Sequence, residues 1–250
     1  MIKLSVNLNK IALIRNSRPG DYPSVIEHAK VCLAAGADGV TVHPRPDQRH
    51  IRPDDVRDLA ALLVDFPNIE FNVEGNPFAQ SQGSYPGFLS LVEETLPHQC
   101  TLVPDTSEQL TSDHGFDLRS SGQRLEPVIR RLQDKGMRVS LFMDPDLDQI
   151  RLAKEVGADR VELYTGPYAE AWSDPARLAP LHDIYAAAAS LANEIGLGVN
   201  AGHDLNLDNL VKFREIPGLL EVSIGHAFTV DSIAMGMTAA TRAYKAVLDG

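Results

Sequence analysis

The chain lacks the features that mark secreted and membrane-spanning proteins. It has only two cysteines, Cys32 and Cys100, in apolar segments far apart in the sequence. Two such cysteines make no disulfide framework, so a reducing compartment is expected. No apolar run reaches the roughly eighteen residues of a membrane span, and the amino terminus begins as a strand without a basic and apolar leader. We therefore expect a cytoplasmic protein with no membrane partner.

Basic charge is scarce as well. Lysine and arginine total 23 against 34 acidic residues, which gives a net charge of -11 and a pI near 5.1. Nucleic acids and anionic membranes bind to basic surfaces, so neither is an expected partner. If the substrate is anionic, the positive charge that binds it must be concentrated in one place.

Common cofactor motifs are also missing. The sequence has no Walker loop, no Rossmann glycine fingerprint and no His-Glu-x-x-His zinc spacing. His43 and His50 lack the spacing of paired metal ligands, and no aspartate on the same predicted strand face joins them. No metal site is predicted.

The chain does contain a repeated alternation of short apolar runs and amphipathic segments. Strands are predicted at 2–7, 39–43, 69–73, 100–103, 138–143, 160–164, 198–200 and 220–224, and helices at 22–35, 53–66, 88–96, 123–135, 147–156, 175–195, 207–214 and 230–248. Strands that alternate with helices pair in parallel, and eight such units make a (β/α)8 barrel. We predict an α/β fold, a single TIM-barrel domain over residues 1–250, because no linker separates a second domain. Extra loops and helices, including polar loops at 76–87 and 104–122, are expected on its catalytic face.

One face of the predicted strands is unusually polar. A two-residue period places on it Ser5, Asn7, Thr41, His43, Glu70, Asn72, Glu74, Glu162, Tyr164, Asn200 and Ser223. Barrel interiors are normally filled by branched apolar side chains, and buried carboxylates are costly unless they are paired or functional. This pattern favours an active site in the lumen, with a structural polar network as the alternative.

The remaining candidate functional residues lie in three loops that follow predicted strands. The second predicted strand runs into a loop that brings out His43, Arg45, Arg49 and His50, because Pro44 and Pro46 prevent the strand from continuing. The last two strands end in Val199-Asn-Ala-Gly-His203 and Val222-Ser-Ile-Gly-His226. In this fold, backbone N–H groups of the last two loops commonly bind phosphate, and glycine allows the close approach. The alternative is that both glycines simply turn tight corners.

Several separated motifs make the chain similar to a known family. They are Val6-Asn-Leu-Asn-Lys-Ile-Ala with Arg15-Asn-Ser-Arg18, Gly36-Ala-Asp-Gly-Val-Thr-Val-His-x-Arg, Arg49-His-Ile, Leu102-Val-Pro, Val139-Ser-Leu-Phe, Val199-Asn-Ala-Gly-His203 and Ile224-Gly-His-Ala. With them the chain resembles the pyridoxine 5'-phosphate synthases, the ring-closing enzymes of vitamin B6 biosynthesis. The resemblance implies a barrel that condenses 3-amino-2-oxopropyl phosphate with 1-deoxy-D-xylulose 5-phosphate without metal or organic cofactor. It also implies a homo-octamer.

The resemblance assigns roles to individual residues. It implies that His43 and Glu70 accept protons, that His203 donates one and that Glu162 stabilises a transition state. The implied contacts to the amino-ketone phosphate are Asn7, Arg18, Gly225 and His226. The implied contacts to the deoxyxylulose phosphate are Asn9, Lys10, Arg45, His50 and Thr111, and Asp204 is expected beside a bound phosphate. The loop 104–122 is expected to close over the site and to bring Thr111 to the sugar phosphate.

Three departures from the family pattern leave other functions open. Asn9-Lys10 replaces a common Asp-His pair, Asp204 replaces a glycine, and the 76–87 stretch is longer than in the compact form. One alternative is a barrel aldolase or isomerase of a sugar phosphate that uses Lys10 as a Schiff-base amine. The other is a regulator that binds a phosphorylated metabolite without turning it over.

Overall fold

A computed structural model describes residues 1–106 and 108–250 and contains a closed barrel of eight parallel strands. Each strand pairs with the next one in the chain, and the last pairs with the first. The strands are β1 (Lys3–Asn7), β2 (Gly39–Val42), β3 (Glu70–Gly75), β4 (Gln99–Leu102), β5 (Arg138–Met143), β6 (Arg160–Leu163), β7 (Gly198–Ala201) and β8 (Leu219–Ile224). The predicted (β/α)8 barrel is therefore confirmed.

Helices surround the barrel and extend its loops. They are α1 (Asn9–Asn16), α2 (Val25–Ala34), α3 (Pro53–Leu63), α4 (Phe88–Thr95), α5 (Leu118–Gln133), α6 (Leu147–Glu155), α7 (Gly166–Glu170), α8 (Pro175–Glu194), α9 (Leu210–Phe213), α10 (His226–Met235) and α11 (Met237–Asp249). Short α1 and α7 were not predicted from the sequence. No helix in the two described ranges combines the length and apolar character needed to cross a membrane.

Two predicted helix boundaries are wrong for identifiable reasons. The helix predicted at 230–248 is two helices, because Gly236 has a φ of 85° and interrupts the ladder between α10 and α11. The helix predicted at 123–135 begins earlier, at Leu118, where the side chain of Asp117 accepts the N–H of Arg119 as a cap. The loop predicted at 104–122 therefore ends at Asp117.

The strands separate an apolar layer from a polar lumen. Val40, Val42 and Val73 are fully buried in the hydrophobic core. Burial of each such side chain contributes roughly 1.5–3 kcal/mol. In the lumen, the hydroxyls of Ser5 and Thr41 lie 2.7 Å apart and the side chain of Asn72 bonds to Thr41. The polar groups in the middle of the lumen thus form a structural network, which was the alternative interpretation of the polar strand face. The candidate site lies nearer the carboxyl ends of the strands.

Candidate active site

A cavity of about 370 Å³ opens at the carboxyl ends of the strands. It brings together every predicted site residue except Glu70 and Arg18. The predicted residues that line it are Asn7, Asn9, Lys10, His43, Arg45, His50, Thr111, Glu162, His203, Asp204, Gly225 and His226. In parallel barrels this end of the strands holds the catalytic groups.

Glu70, predicted from the resemblance to accept a proton, does not line this cavity. Glu70 is the first residue of β3, at the amino end of the barrel, and its carboxylate lies 2.5 Å from Arg138 Nη2. Arg138 is likewise the first residue of β5. The two residues form an ion pair at the end of the lumen opposite the cavity, so Glu70 is a structural partner of an arginine.

Arg18 also lies away from the cavity. It is exposed and follows the end of α1 at Asn16, in a turn that leads the chain into solvent. Arg15, one helical turn earlier, is buried because its guanidinium bonds to the carboxylate of Asp55 and to the carbonyl of His50, the latter at 3.1 Å. The loop after β1 therefore uses Arg15 as a structural tie and leaves Arg18 exposed.

Glu74, not Glu70, is the carboxylate of β3 in the cavity. Its Oε2 lies 3.8 Å from His43 Nδ1 and accepts a hydrogen bond from Asn7 Nδ2 at 3.4 Å. Burial raises the pKa of Glu74 well above its ordinary range, and the nearby carboxylates Glu162 and Asp105 raise it further. This shift favours the protonated carboxyl group, which can donate a proton.

His43 is held as a neutral imidazole beside it. Burial lowers its pKa well below the ordinary value, and the positive charge of Arg45 adds to the effect. The backbone N–H of His43 donates to Asn9 Oδ1 at 2.8 Å, which fixes the strand end against α1. A neutral imidazole can accept a proton, as the sequence-based assignment requires.

Arg45, His50 and Thr111 line one side of the cavity and are called here the second seat. Burial, then Arg45, lowers the pKa of His50 to about 3, so the ring is neutral at pH 7. His50 Nδ1 accepts the N–H of Ile51 at 2.9 Å, so the ring's proton sits on Nε2. The second seat thus offers one guanidinium and one neutral N–H to an anion.

The end of β8 and the start of α10 form what is called here the first seat, which consists of Ser223, Gly225 and His226. The first turn of α10 begins after Gly225 without a side-chain cap, so its N–H groups are open to an anion. Ser223 Oγ is buried and has no hydrogen-bond partner within the described ranges. A Cβ at Gly202 would lie 2.0 Å from the carbonyl oxygen of Ser223, so only glycine lets these loops pack together.

His203 lies between the two seats. Its Nε2 is 3.4 Å from Thr111 Oγ1 and 3.7 Å from Asp204 Oδ2, and its ring packs against Tyr164 with centroids 5.3 Å apart. Burial lowers its pKa, while the carboxylate of Asp204 opposes that shift. Asp204 has a φ of 61°, the left-handed region where glycine is usual and aspartate is tolerated. Asp204 therefore adopts a backbone conformation that glycine would also meet at this position.

Glu162 lies on the cavity floor with 5% of its surface exposed. Burial raises its pKa from 4.5 to about 7, against a weaker opposing effect from the hydroxyl of Thr101. Near neutral pH this carboxyl group is therefore poised to hold or release a proton.

The raised pKa of Glu162 predicts a pH-dependent stability effect. The folded state binds the Glu162 proton more tightly than the unfolded state does. The contribution of this proton to the stability of the fold is therefore complete below pH 4.5 and is lost as pH rises through about 7. The variant Glu162→Gln cannot ionise. We expect its melting temperature to exceed that of the wild type at pH 8 and the difference to shrink by pH 5, as measured by calorimetry. A melting-temperature difference that grows as the pH is lowered would contradict the raised pKa of Glu162.

No group of three or more histidine, cysteine, aspartate or glutamate side chains in the described residues is arranged to hold a metal ion. The carboxyl ends of the strands instead gather imidazoles, carboxyl groups and two candidate anion seats.

A closed parallel barrel with acid and base groups gathered at this end has the arrangement of a (β/α)8-barrel enzyme. The sequence profile of the family described as "Pyridoxal phosphate biosynthesis protein PdxJ" matches residues 4–250. The chain belongs to the PdxJ family.

Named relatives agree with this assignment. The chain is 52% identical over 248 residues to the pyridoxine 5'-phosphate synthase of Xanthomonas campestris pv. campestris strain B100, covering 99% of this chain and 96% of that protein. It is 54% identical over 244 residues to the enzyme of the same name from Albidiferax ferrireducens, covering 97% and 95%. The family resemblance drawn from the sequence motifs is confirmed.

Solved structures with low sequence identity share the fold. A thiamine phosphate pyrophosphorylase from Pyrococcus furiosus matches with a TM-score of 0.59 at 13% identity, over 99% of this chain and 96% of that one. The Amycolatopsis orientalis BexX/CysO complex matches with a TM-score of 0.61 at 20% identity, over 99% and 90%. At such identities the likeness concerns the barrel alone.

Proposed function

We propose that this chain condenses 3-amino-2-oxopropyl phosphate with 1-deoxy-D-xylulose 5-phosphate to give pyridoxine 5'-phosphate, phosphate and water. The observation that carries the proposal is that one cavity contains both candidate anion seats together with imidazoles and carboxyl groups. Relatives at 52–54% identity bear the name of this activity. Each substrate carries one phosphate, so two seats in one cavity suit a reaction that joins them.

The acid and base groups suit the steps of this reaction. Joining an amine to a ketone, losing water and phosphate, and closing a ring all require repeated proton transfers on one bound intermediate. Neutral His43 accepts protons, protonated Glu74 and His203 donate or relay them, and Glu162 stabilises positive charge as it forms. Carboxyl groups and imidazoles whose pKa values are shifted in opposite directions can share such transfers.

The two seats are proposed to take different substrates. The first seat binds the amino-ketone phosphate, with Asn7 beside it. The second seat binds the deoxyxylulose phosphate, with Asn9, Lys10 and Asp204 at its edges. Arg18 is exposed, so it is not included in the proposed first seat.

Replacing Arg45 should weaken the binding of one substrate and not of the other. A hydrogen bond to a charged group contributes about 1.5–3 kcal/mol, which corresponds to roughly a 10- to 150-fold change in binding. The variant Arg45→Ala should therefore raise the KM for the deoxyxylulose phosphate by about that factor and leave the KM of the amino ketone nearly unchanged. Steady-state kinetics with each substrate varied in turn measures this. Equal losses for both substrates would contradict separate seats.

The loop after β4 is proposed to close over the bound substrates and exclude water. Arg49 Nη1 donates to the carbonyl of Gln109 at 2.8 Å, and Thr111 reaches His203. These contacts hold the loop across the cavity mouth. Of the loop predicted to close, 104–122, Ser107 lies outside the described residues and 118–122 are helical.

Limited proteolysis tests this closure. Cleavage within 108–117 should be slower with a saturating substrate analogue plus phosphate than without them, because the ligands stabilise the closed loop. Cleavage of an unrelated exposed loop, such as 17–23, should be the same in both samples. Equal rates within 108–117 would remove Thr111 from the binding residues.

The homo-octamer that the resemblance implies and the cytoplasmic location expected from the sequence composition both stay predictions. Sedimentation velocity of the purified chain measures the first directly. An octamer of the 27.3 kDa chain should be resolved clearly from a monomer or dimer.

A further inference from the structure

A buried carboxylate that the proposed catalytic roles do not use lies beside the second seat. Asp105 follows β4 and is 5% exposed. Its Oδ2 accepts hydrogen bonds from the guanidinium of Arg45 and from Ser112 Oγ, the latter at 2.8 Å, and lies 3.9 Å from His43 Nε2. Its backbone carbonyl accepts the side chain of Asn76 at 2.7 Å. Asp105 therefore joins the loops after β2, β3 and β4.

The contacts of Asp105 converge on a single oxygen. Oδ1 is buried and has no hydrogen-bond partner in the described part of the chain. Arg45 is itself 5% exposed, so its charge is neutralised mainly at Asp105 Oδ2. Since this bond uses Nη2, the other guanidinium N–H groups keep a fixed direction and remain able to bind an anion. The orientation of the Arg45 guanidinium thus depends on Asp105.

The second contact of Oδ2 reaches the closing loop. Ser112 follows Thr111, whose hydroxyl lies 3.4 Å from His203. A bond from Ser112 to Asp105 therefore holds Thr111 at the cavity. One carboxylate oxygen ties together the arginine and the loop residue of the second seat.

We propose that Asp105 is a positioning residue that aims Arg45 at the phosphate of the sugar substrate and holds the Thr111 segment over it. This inference rests on the proposed function. Asp105 acts through Arg45 and Ser112, both of which donate hydrogen bonds to its Oδ2. Two effects of its charge oppose each other, since a carboxylate repels a phosphate but also orients the guanidinium. Because Arg45 is buried and its guanidinium donates a hydrogen bond to Asp105 Oδ2, orientation is the larger effect.

A double-mutant cycle tests this dependence. The variants are Asp105→Asn, which keeps the shape and removes the charge, Arg45→Gln, and the two combined. Calorimetry measures the Kd of 1-deoxy-D-xylulose 5-phosphate for each, so no turnover is needed. We expect Asp105→Asn to raise Kd about tenfold or more when Arg45 is present, and less than about twofold when it is replaced, because coupled neighbours are non-additive. Steady-state kinetics should show little change in the KM of the amino ketone.

Three controls keep the outcomes distinct. Asp113→Asn makes the same chemical change on an exposed carboxylate of the same loop, paired with His114, and should leave Kd unchanged. Asp105→Glu keeps the charge and should restore part of the affinity even if Asp105→Asn lowers the melting temperature. Unchanged or tighter binding by Asp105→Asn, or equal losses with and without Arg45, would overturn the inference alone. A wild type that binds no deoxyxylulose phosphate would overturn the proposed function as well.

Discussion

Replacing His203 by alanine should lower kcat by about two to four orders of magnitude, the range expected for loss of a general acid. His203 is the imidazole between the two seats, and its Nε2 lies 3.4 Å from Thr111 Oγ1. The fold should be kept, because the loop around it is also fixed by the bond from Thr165 Oγ1 to the backbone carbonyl of His203, which the substitution leaves in place.

Stopped-flow or steady-state product assays measure this effect. His28→Ala provides a matched control, since His28 is a partly buried histidine on α2 whose ring bonds to the carbonyl of Ser24, outside the cavity. Its kcat should equal that of the wild type. Unchanged turnover in His203→Ala would remove His203 from the mechanism.

Replacing Glu74 by glutamine should also reduce kcat by about two to four orders of magnitude. The amide keeps the size of the carboxyl group but cannot release or take up the proton that burial favours on Glu74. Its neighbours are His43 at 3.8 Å and Asn7 at 3.4 Å, and we expect the isosteric amide to leave both in place.

Glu70→Gln is the matched comparison on the same strand. Its kcat should remain within a few-fold of the wild type, while its melting temperature falls because Arg138 loses a charged partner. The reverse pattern, with Glu70→Gln inactive and Glu74→Gln active, would restore the assignment made from sequence.

The exchange of Glu70 for Glu74 illustrates what a strand pattern determines. The two-residue period correctly places both carboxylates on the luminal face, but it does not tell which end of the barrel each one reaches. That depends on where the strand begins, and β3 begins at Glu70 itself. Counting toward the carboxyl end of a predicted strand would have favoured Glu74, because the catalytic groups of this fold lie there.

Most cavity residues were predictable because they follow strands directly. His43, His203 and His226 each come at or just after a strand end, where the fold fixes their position. Arg18 was not, because a loop residue's direction depends on packing that the sequence does not show. Asp105 was missed because its partner Arg45 is 60 residues away in the chain. Only the closed barrel brings the loops after β2 and β4 together.

The most direct test of the proposed function is product formation by the purified chain. The protein is incubated with 3-amino-2-oxopropyl phosphate and 1-deoxy-D-xylulose 5-phosphate, and pyridoxine 5'-phosphate is followed by its absorbance and by chromatography. We expect this product to form together with an equal amount of inorganic phosphate, and only when both substrates are present. Absence of the product, or a borohydride-trapped adduct on Lys10 in its place, would contradict the proposed function.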